Sequence, residues 1–317
     1  MKTILARIVA ISLACAPAAA FSQVSISAGA EFTSGKFGDP QKTDSWTVPI
    51  GLKYETGPLT FRLSVPWVRV KGPANRETGE TINSLVNAST PGQFIRGDGS
   101  DECLVSGNGK PEDDPPAGCP NSAASTVTTT AATTTAPVVT RVPQSQSGLG
   151  DVTASAFFIV LDPAESVIGL DLGGKVKFAT ADRDKCLITT GENDYSAQAE
   201  LYQTFGRLSP YLTLGWTKKG DPELRDGTCT KLGGRTNFEN PWYLGIGFSY
   251  KLSDATSAGL SYDFRQKLLA GSDPVSEASL FVSQKLAPNF KLQVYGIAGF
   301  SDNSPDWGLG ATVGYTF

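Results

Sequence analysis

The sequence predicts an all-β chain folded as a transmembrane antiparallel up-and-down β-barrel of about 12 strands. Three observations predict it. Apolar residues alternate with polar or small ones over segment after segment, and helix-type apolar spacing is hard to find after residue 20. Short and long connections alternate along the whole chain. The face made by one parity is almost free of charge. Strand side chains point to opposite faces with period two, so such a pattern gives a sheet one greasy side and one wetted side.

The N-terminus reads as a secretory signal. Lys2 and Arg7 give the positive start, Ile8 to Ala14 the short apolar stretch, and Ala18 to Ala20 a small-residue cleavage site. Cleavage after Ala20 makes 1–20 the signal peptide and 21–317 the barrel. A lipoprotein reading through Cys15 is weaker, because Ser12 rather than an aliphatic stands three residues before it. Beyond the signal no apolar run approaches the ~18 residues of a spanning helix. The mean hydropathy of −0.13 is compatible with a barrel, whose strands need only one apolar face.

The strands are expected in this order: 24–33, 46–55 and 59–70, then, after a long interruption, 152–160, 168–178, 194–205, 211–218, 242–251, 257–265, 275–286, 290–300 and 306–317. Each shows the alternation. In the second, Trp46, Val48, Ile50, Leu52 and Tyr54 share a face; in the last, Trp307, Leu309, Ala311, Val313, Tyr315 and Phe317 do. That last segment is long enough to cross a bilayer at a tilt, and its aromatic end resembles the C-terminal strand of bacterial outer-membrane barrels, through which the outer-membrane assembly machinery would take it. An edge strand of a soluble sandwich is the bland alternative for this segment alone.

Short turns lie at 57–58, 162–165, 206–209, 253–254 and 287–289. Longer connections lie at 34–44, 71–149, 180–193, 219–238, 267–274 and 301–305. Short periplasmic turns, longer external loops and periplasmic termini produce that rhythm. A soluble sandwich has no reason to. The opposite parity would put Glu31, Lys53, Glu55, Arg62, Asp171, Lys175, Lys177, Asp194, Glu200, Asp263, Arg265, Glu277, Lys285 and Lys291 in the lumen, seven acidic and seven basic. Arg or Lys facing lipid at mid-depth costs about 2–4 kcal/mol, so the segregation has a physical cause in a membrane. Aromatics gather near strand ends, as interfacial girdles do. Arg69 breaks the third strand's pattern and is read as a strand end or bulge near the outer rim.

The long external loop 71–149 contains no good strand by its pattern. Its Thr/Ala-rich stretch 125–140 and its Gly/Pro/Asp/Asn-rich stretch 97–120 cannot bury much apolar surface. It is either a lid, receptor surface or inward constriction, or an expandable surface loop under little constraint. Four cysteines remain after the signal leaves. Cys103 and Cys119 share the long loop, while Cys186 and Cys229 lie in neighbouring external loops. In an oxidising compartment the expected disulfides are Cys103–Cys119 and Cys186–Cys229, though four cysteines allow three connectivities. A metal site is the sharper alternative, but there is no histidine and no paired-cysteine motif of the usual spacing.

The absent histidine makes a Ser–His hydrolase impossible, so no enzyme and no cofactor are expected. Carboxylate-only catalysis has candidates in Asp171, Asp194, Glu200 and Asp263, whose commoner role is salt bridging with Lys175, Lys177 and Arg265. Without Lys2 and Arg7, the 27 basic residues fall to 25 against 31 acidic, a net of −6, which gives no footprint for nucleic acid.

Residues 147–151, 171–180 and 299–308 resemble a family of bacterial outer-membrane barrels named for the MetA-pathway of phenol degradation, or simply called transporters. The resemblance covers roughly 147–317. It implies an outer-membrane barrel in contact with outer-membrane lipids, passing aromatic or other hydrophobic compounds. The inserted stretch 97–141 departs from a compact version of that family.

Passive passage of a small-molecule solute is therefore the leading function. Lys175, Lys177, Glu200, Asp263 and Arg265 are the expected lining residues. Phe157, Tyr202, Tyr243, Phe281 and Tyr295 share their parity and could either stack on aromatic cargo or fill space. Balanced charge argues against strong ion preference and also permits a nearly closed interior. The rival is a non-conducting structural or surface-interaction barrel that presents the 71–149 loop.

Overall fold

The computed structural model describes residues 22–37, 41–72, 144–163, 166–225, 231–235, 237–268 and 273–317. The expected signal peptide, Cys103, Cys119, Cys229 and most of the 71–149 loop lie outside the described residues.

Every described element is a strand. In chain order they are β1 (Gln23–Gly35), β2 (Thr43–Thr56), β3 (Leu59–Gly72), β4 (Gln144–Leu149) and β5 (Val152–Leu161). There follow β6 (Gly169–Phe178), β7 (Asp194–Tyr202), β8 (Leu208–Lys218), β9 (Glu223–Arg225) and β10 (Lys231–Arg235). The remaining strands are β11 (Trp242–Lys251), β12 (Thr256–Arg265), β13 (Val275–Ala287), β14 (Phe290–Gly299) and β15 (Trp307–Thr316). Each pairs antiparallel with its neighbour, and β1 pairs with β15, so the sheet closes on itself. β4 and β5 occupy one place in the wall beside β3, which gives a closed barrel of 12 strands. Closure leaves no edge and satisfies backbone groups between strands, the condition for crossing lipid without helices.

Two elements correct the sequence reading. The expected loop 71–149 is shortened at both ends, because β3 runs on to Gly72 and Gln144–Leu149 pairs with β3 as β4. The expected loop 219–238 contains the β9–β10 hairpin, which is separate from the barrel wall. The residue types explain both misses. Gln, Ser and Gly fill β4, and Gly-rich β10 has no β-branched residue, so neither offers the usual strand signal.

The alternation holds round the wall. Outward residues such as Ile50, Leu172, Leu214, Ile246, Leu280, Val294 and Leu309 are exposed, while inward ones such as Glu31, Thr47, Arg62, Glu200 and Thr312 are buried. An apolar band this continuous would be untenable on a soluble monomer, and lipid is what it fits. The start of β1, the end of β15 and the five short turns lie at one end, and the six longer connections leave and re-enter the wall at the other. We call these the turn end and the loop end. All five tryptophans (46, 67, 216, 242 and 307) face outward near the loop end. Phe32 lies between Trp46 and Trp307, with ring centres 5.0 and 5.3 Å away. Tyr54 with Phe61, and Tyr315 with Phe317, form the second girdle near the turn end. Along β2 the two girdles, at Trp46 and Tyr54, are eight residues apart, about 27 Å of strand, which a typical tilt reduces to about 20 Å of height. Arg69 is not at a bulge: it pairs regularly with Trp46 and with Ser147, outward and level with the tryptophan girdle.

Candidate functional site

The interior is built by three devices, each traceable to residue type. The first begins at a proline. Pro66 lies inside β3, where it pairs with Pro49 of β2 in regular register, and it has no N–H to donate to the strand on its other side. Opposite it the wall slips by one residue between β4 and β5, while Gly150 N donates to Pro66 O at 2.8 Å. That bulge turns Asp151 inward, where it is buried. Its Oδ1 accepts from the backbone N–H groups of Thr180 and Ala181, both at 2.9 Å, and its Oδ2 accepts from Thr189 Oγ1 at 2.6 Å. One carboxylate thus fastens both ends of the β6–β7 loop, 179–193.

Held this way, the loop folds into the barrel mouth. Leu187 and Ile188 are buried against Val68 and Val70, which are inward residues of β3. Lys185 Nζ donates to Ser147 O at 2.7 Å, and Leu187 N to Gln146 Oε1 at 3.1 Å. Lys177 Nζ reaches Thr190 Oγ1 and lies 2.9 Å from Asp194 Oδ2 and 3.7 Å from Asp151 Oδ2. Lys219 Nζ shares Asp194 Oδ2, also at 2.9 Å. Arg235 of the β9–β10 hairpin pairs with Glu192 at 2.8 Å from the far side. Cys186 is disulfide-bonded, and its partner lies outside the described residues. The β6–β7 loop is therefore pinned across inward residues of the wall at the loop end.

The second device is the cross-strand register of the lumen charges. Asp171, Glu200, Thr213, Gly245, Asp263 and Glu277 are successive partners across β6, β7, β8, β11, β12 and β13. That is an acidic row. Lys53, Arg62, Ser155 and Lys175 are successive partners across β2, β3, β5 and β6, which makes a basic row. On β6 the two rows stand four residues apart, about 13 Å along the strand. Arg62 lies over the Phe157 ring at 4.7 Å, and its charge acts on Glu200, Glu55 and Asp171.

The third device pairs rings with glycines. Phe157 lies against Gly173, Tyr202 against Gly169, Tyr243 against Gly215, Phe281 against Gly259 and Tyr295 against Gly310. A Cβ at any of those glycines would fall inside the neighbouring ring. The rings therefore lie flat on the wall backbone instead of standing into the lumen, and the hydroxyls of the three tyrosines serve as fixed donors. Tyr202 OH donates to Asp171 at 3.1 Å, Tyr295 OH to Glu31 at 2.7 Å, and Tyr243 OH to Gln198 Oε1 at 2.9 Å.

The expected lining residues all face the interior. Lys175, Lys177, Glu200, Arg265, Tyr202, Tyr243 and Tyr295 are buried there, and Asp263 is half-buried. Of the fourteen expected lumen charges, ten are buried, so little of the interior surface is open to water. The sequence reading missed Asp151, Lys219, Gln198, Thr213, Leu187 and Ile188. Pro66 inside a strand pattern is the available signal, since a proline can mark a bulge, although Pro49 and Pro210 lie in strands whose registers do not shift. Among the described residues no group of three His, Cys, Asp or Glu is placed to hold a metal ion.

Neither a protein-family model nor a curated protein sequence matches the chain. In fold it is similar to the crystal structure of an outer membrane channel from Pseudomonas putida F1, with 14% identity over 95% of this chain and 97% of that one and a TM-score of 0.56. Weaker likenesses include the beta domain of the Bordetella autotransporter BrkA (10% identity, 93% and 100% covered, TM-score 0.46) and the KdgM porin (9%, 92% and 99%, 0.44). At 14% identity the likeness to the Pseudomonas putida channel is one of fold. With the lipid-facing band and the two girdles, it makes the chain an outer-membrane β-barrel.

Proposed function

We propose that this barrel is an outer-membrane channel for passive uptake of small polar solutes, with the 179–193 loop as its constriction. The observation that carries the reading is a closed wall whose inward parity carries nearly all the strand charges and many hydroxyls, and whose outward parity is apolar. Such an interior offers water and polar solutes a path that lipid does not. An aromatic or hydrophobic cargo, suggested by the family resemblance, gains little support, because five lumen rings lie flat on glycines and the hydroxyls of Tyr202, Tyr243 and Tyr295 are engaged in the wall. The absence of histidine favours a channel over an enzyme.

In this reading the turn end is periplasmic, the signal 1–20 directs export, and the C-terminal strand is offered to the assembly machinery. Cys186 pairs with Cys229 to brace the constriction, and Cys103 with Cys119 within the external loop. The heavy shielding of the lumen favours one rival, a non-conducting barrel that presents the external loop to a partner. Purified mature protein in liposomes, offered small sugars, organic acids and phenolic acids, separates the two. The channel reading expects small polar solutes to enter faster than phenolic acids of similar mass. Entry no faster than into protein-free liposomes supports the rival.

A further inference from the structure

We infer that the lumen contains a binding site for zwitterionic solutes that carry an ammonium and a carboxylate group. This rests on the channel reading. The acidic row is not by itself a site, since facing charges can simply neutralise one another. What singles it out is the state of Glu200. This side chain is 1% exposed and sits between Asp171 and Thr213 in the row. Tyr243 OH donates to Gln198 Oε1, and Gln198 Nε2 donates to Glu200 Oε1 at 2.7 Å, so a relay anchored in the wall fixes one carboxylate oxygen. The other oxygen, Oε2, accepts no hydrogen bond from any described residue, and neither does the adjacent Thr213 Oγ1 engage in one.

A buried carboxylate oxygen without a donor costs about 1–3 kcal/mol, a cost that an incoming donor would relieve. An ammonium supplies up to three N–H donors and a positive charge. Glu200 and Thr213 are aligned to take it, with Asp171 and Asp263 on either side adding charge of the right sign. On the loop-end side of the acidic row, Arg62 and Lys175, which also engage groups of the wall, add positive charge that suits a carboxylate on the same solute. A cation alone would be repelled by the basic row and an anion alone by the acidic row. A dipolar molecule satisfies both at once.

The test compares liposome entry of 4-aminobutyrate, a zwitterion at neutral pH, with butyramide, a neutral molecule of similar size. Wild-type protein is expected to pass the zwitterion several-fold faster. Glu200→Gln and Arg62→Gln are each expected to bring the ratio close to one while butyramide entry changes little. A wild-type ratio near one overturns the inference whether or not the variants fold, and so does a high ratio that both folded variants retain. Entry of neither solute overturns the channel reading itself, and this inference with it.

Discussion

At the residue scale, glycine identity is set by what lies across the strand boundary. Gly173 and Gly174 are adjacent on β6, yet the first underlies the Phe157 ring while the second faces outward, where an added Cβ would meet nothing closer than Ser196 O at 3.7 Å. Gly173→Val is therefore expected to destabilise the barrel by about 1–3 kcal/mol through overpacking. Gly174→Val should cost far less; urea midpoints followed by heat-dependent gel mobility make the comparison. Asp194 is a second such point, because it lies between Lys177 and Lys219, 2.9 Å from each. Asp194→Asn leaves two buried ammonium groups facing each other, and its expected cost is about 3–5 kcal/mol by the same assay. Parity alone places Asp194, Lys177 and the lumen rings correctly from sequence. Which ring meets which glycine is not legible there, since that depends on inter-strand register, and register is a property of the closed sheet.

At the element scale, strands are legible wherever β-branched or aromatic residues alternate with small ones, as in β2 and β15. β4 and the β9–β10 hairpin lack that alternation, and their sequences look like loop. The inward fold of 179–193 is equally hidden. Its apolar pair Leu187 and Ile188 is too short to show a period, and its anchor Asp151 comes from a bulge that only Pro66 foreshadows. If this loop is the constriction, Leu187→Ser/Ile188→Ser should loosen it from Val68 and Val70. The expected outcome is faster cleavage of intact vesicle-bound protein by trypsin at Arg183 or Lys185, with the wall strands left whole. Asp151→Asn should act in the same direction, because it removes the charge shared with Lys177.

At the scale of the whole molecule, the partition of charge by parity decides where the protein can live. Outward charges among the described wall strands are confined to Asp44, Arg69, Lys71 and Lys218, all at the loop end. Leu280→Arg places a charge in the middle of the apolar band and is expected to cost about 2–4 kcal/mol, whereas Ser279→Arg on the inward parity should fold more readily and narrow the path instead. This partition, the alternating connections and the closed barrel are all readable from the sequence. The acidic and basic rows are not, because their members lie up to 106 positions apart, as Asp171 and Glu277 do, and meet only through the registers of five strand pairs.

The most direct measurement is single-channel current through the purified mature protein in a planar bilayer, compared with Leu187→Ser/Ile188→Ser. Small, discrete, reproducible steps in the wild type, enlarged in the double variant, are what a narrow polar lumen closed down by the 179–193 loop predicts. Silence from both folded proteins would contradict it.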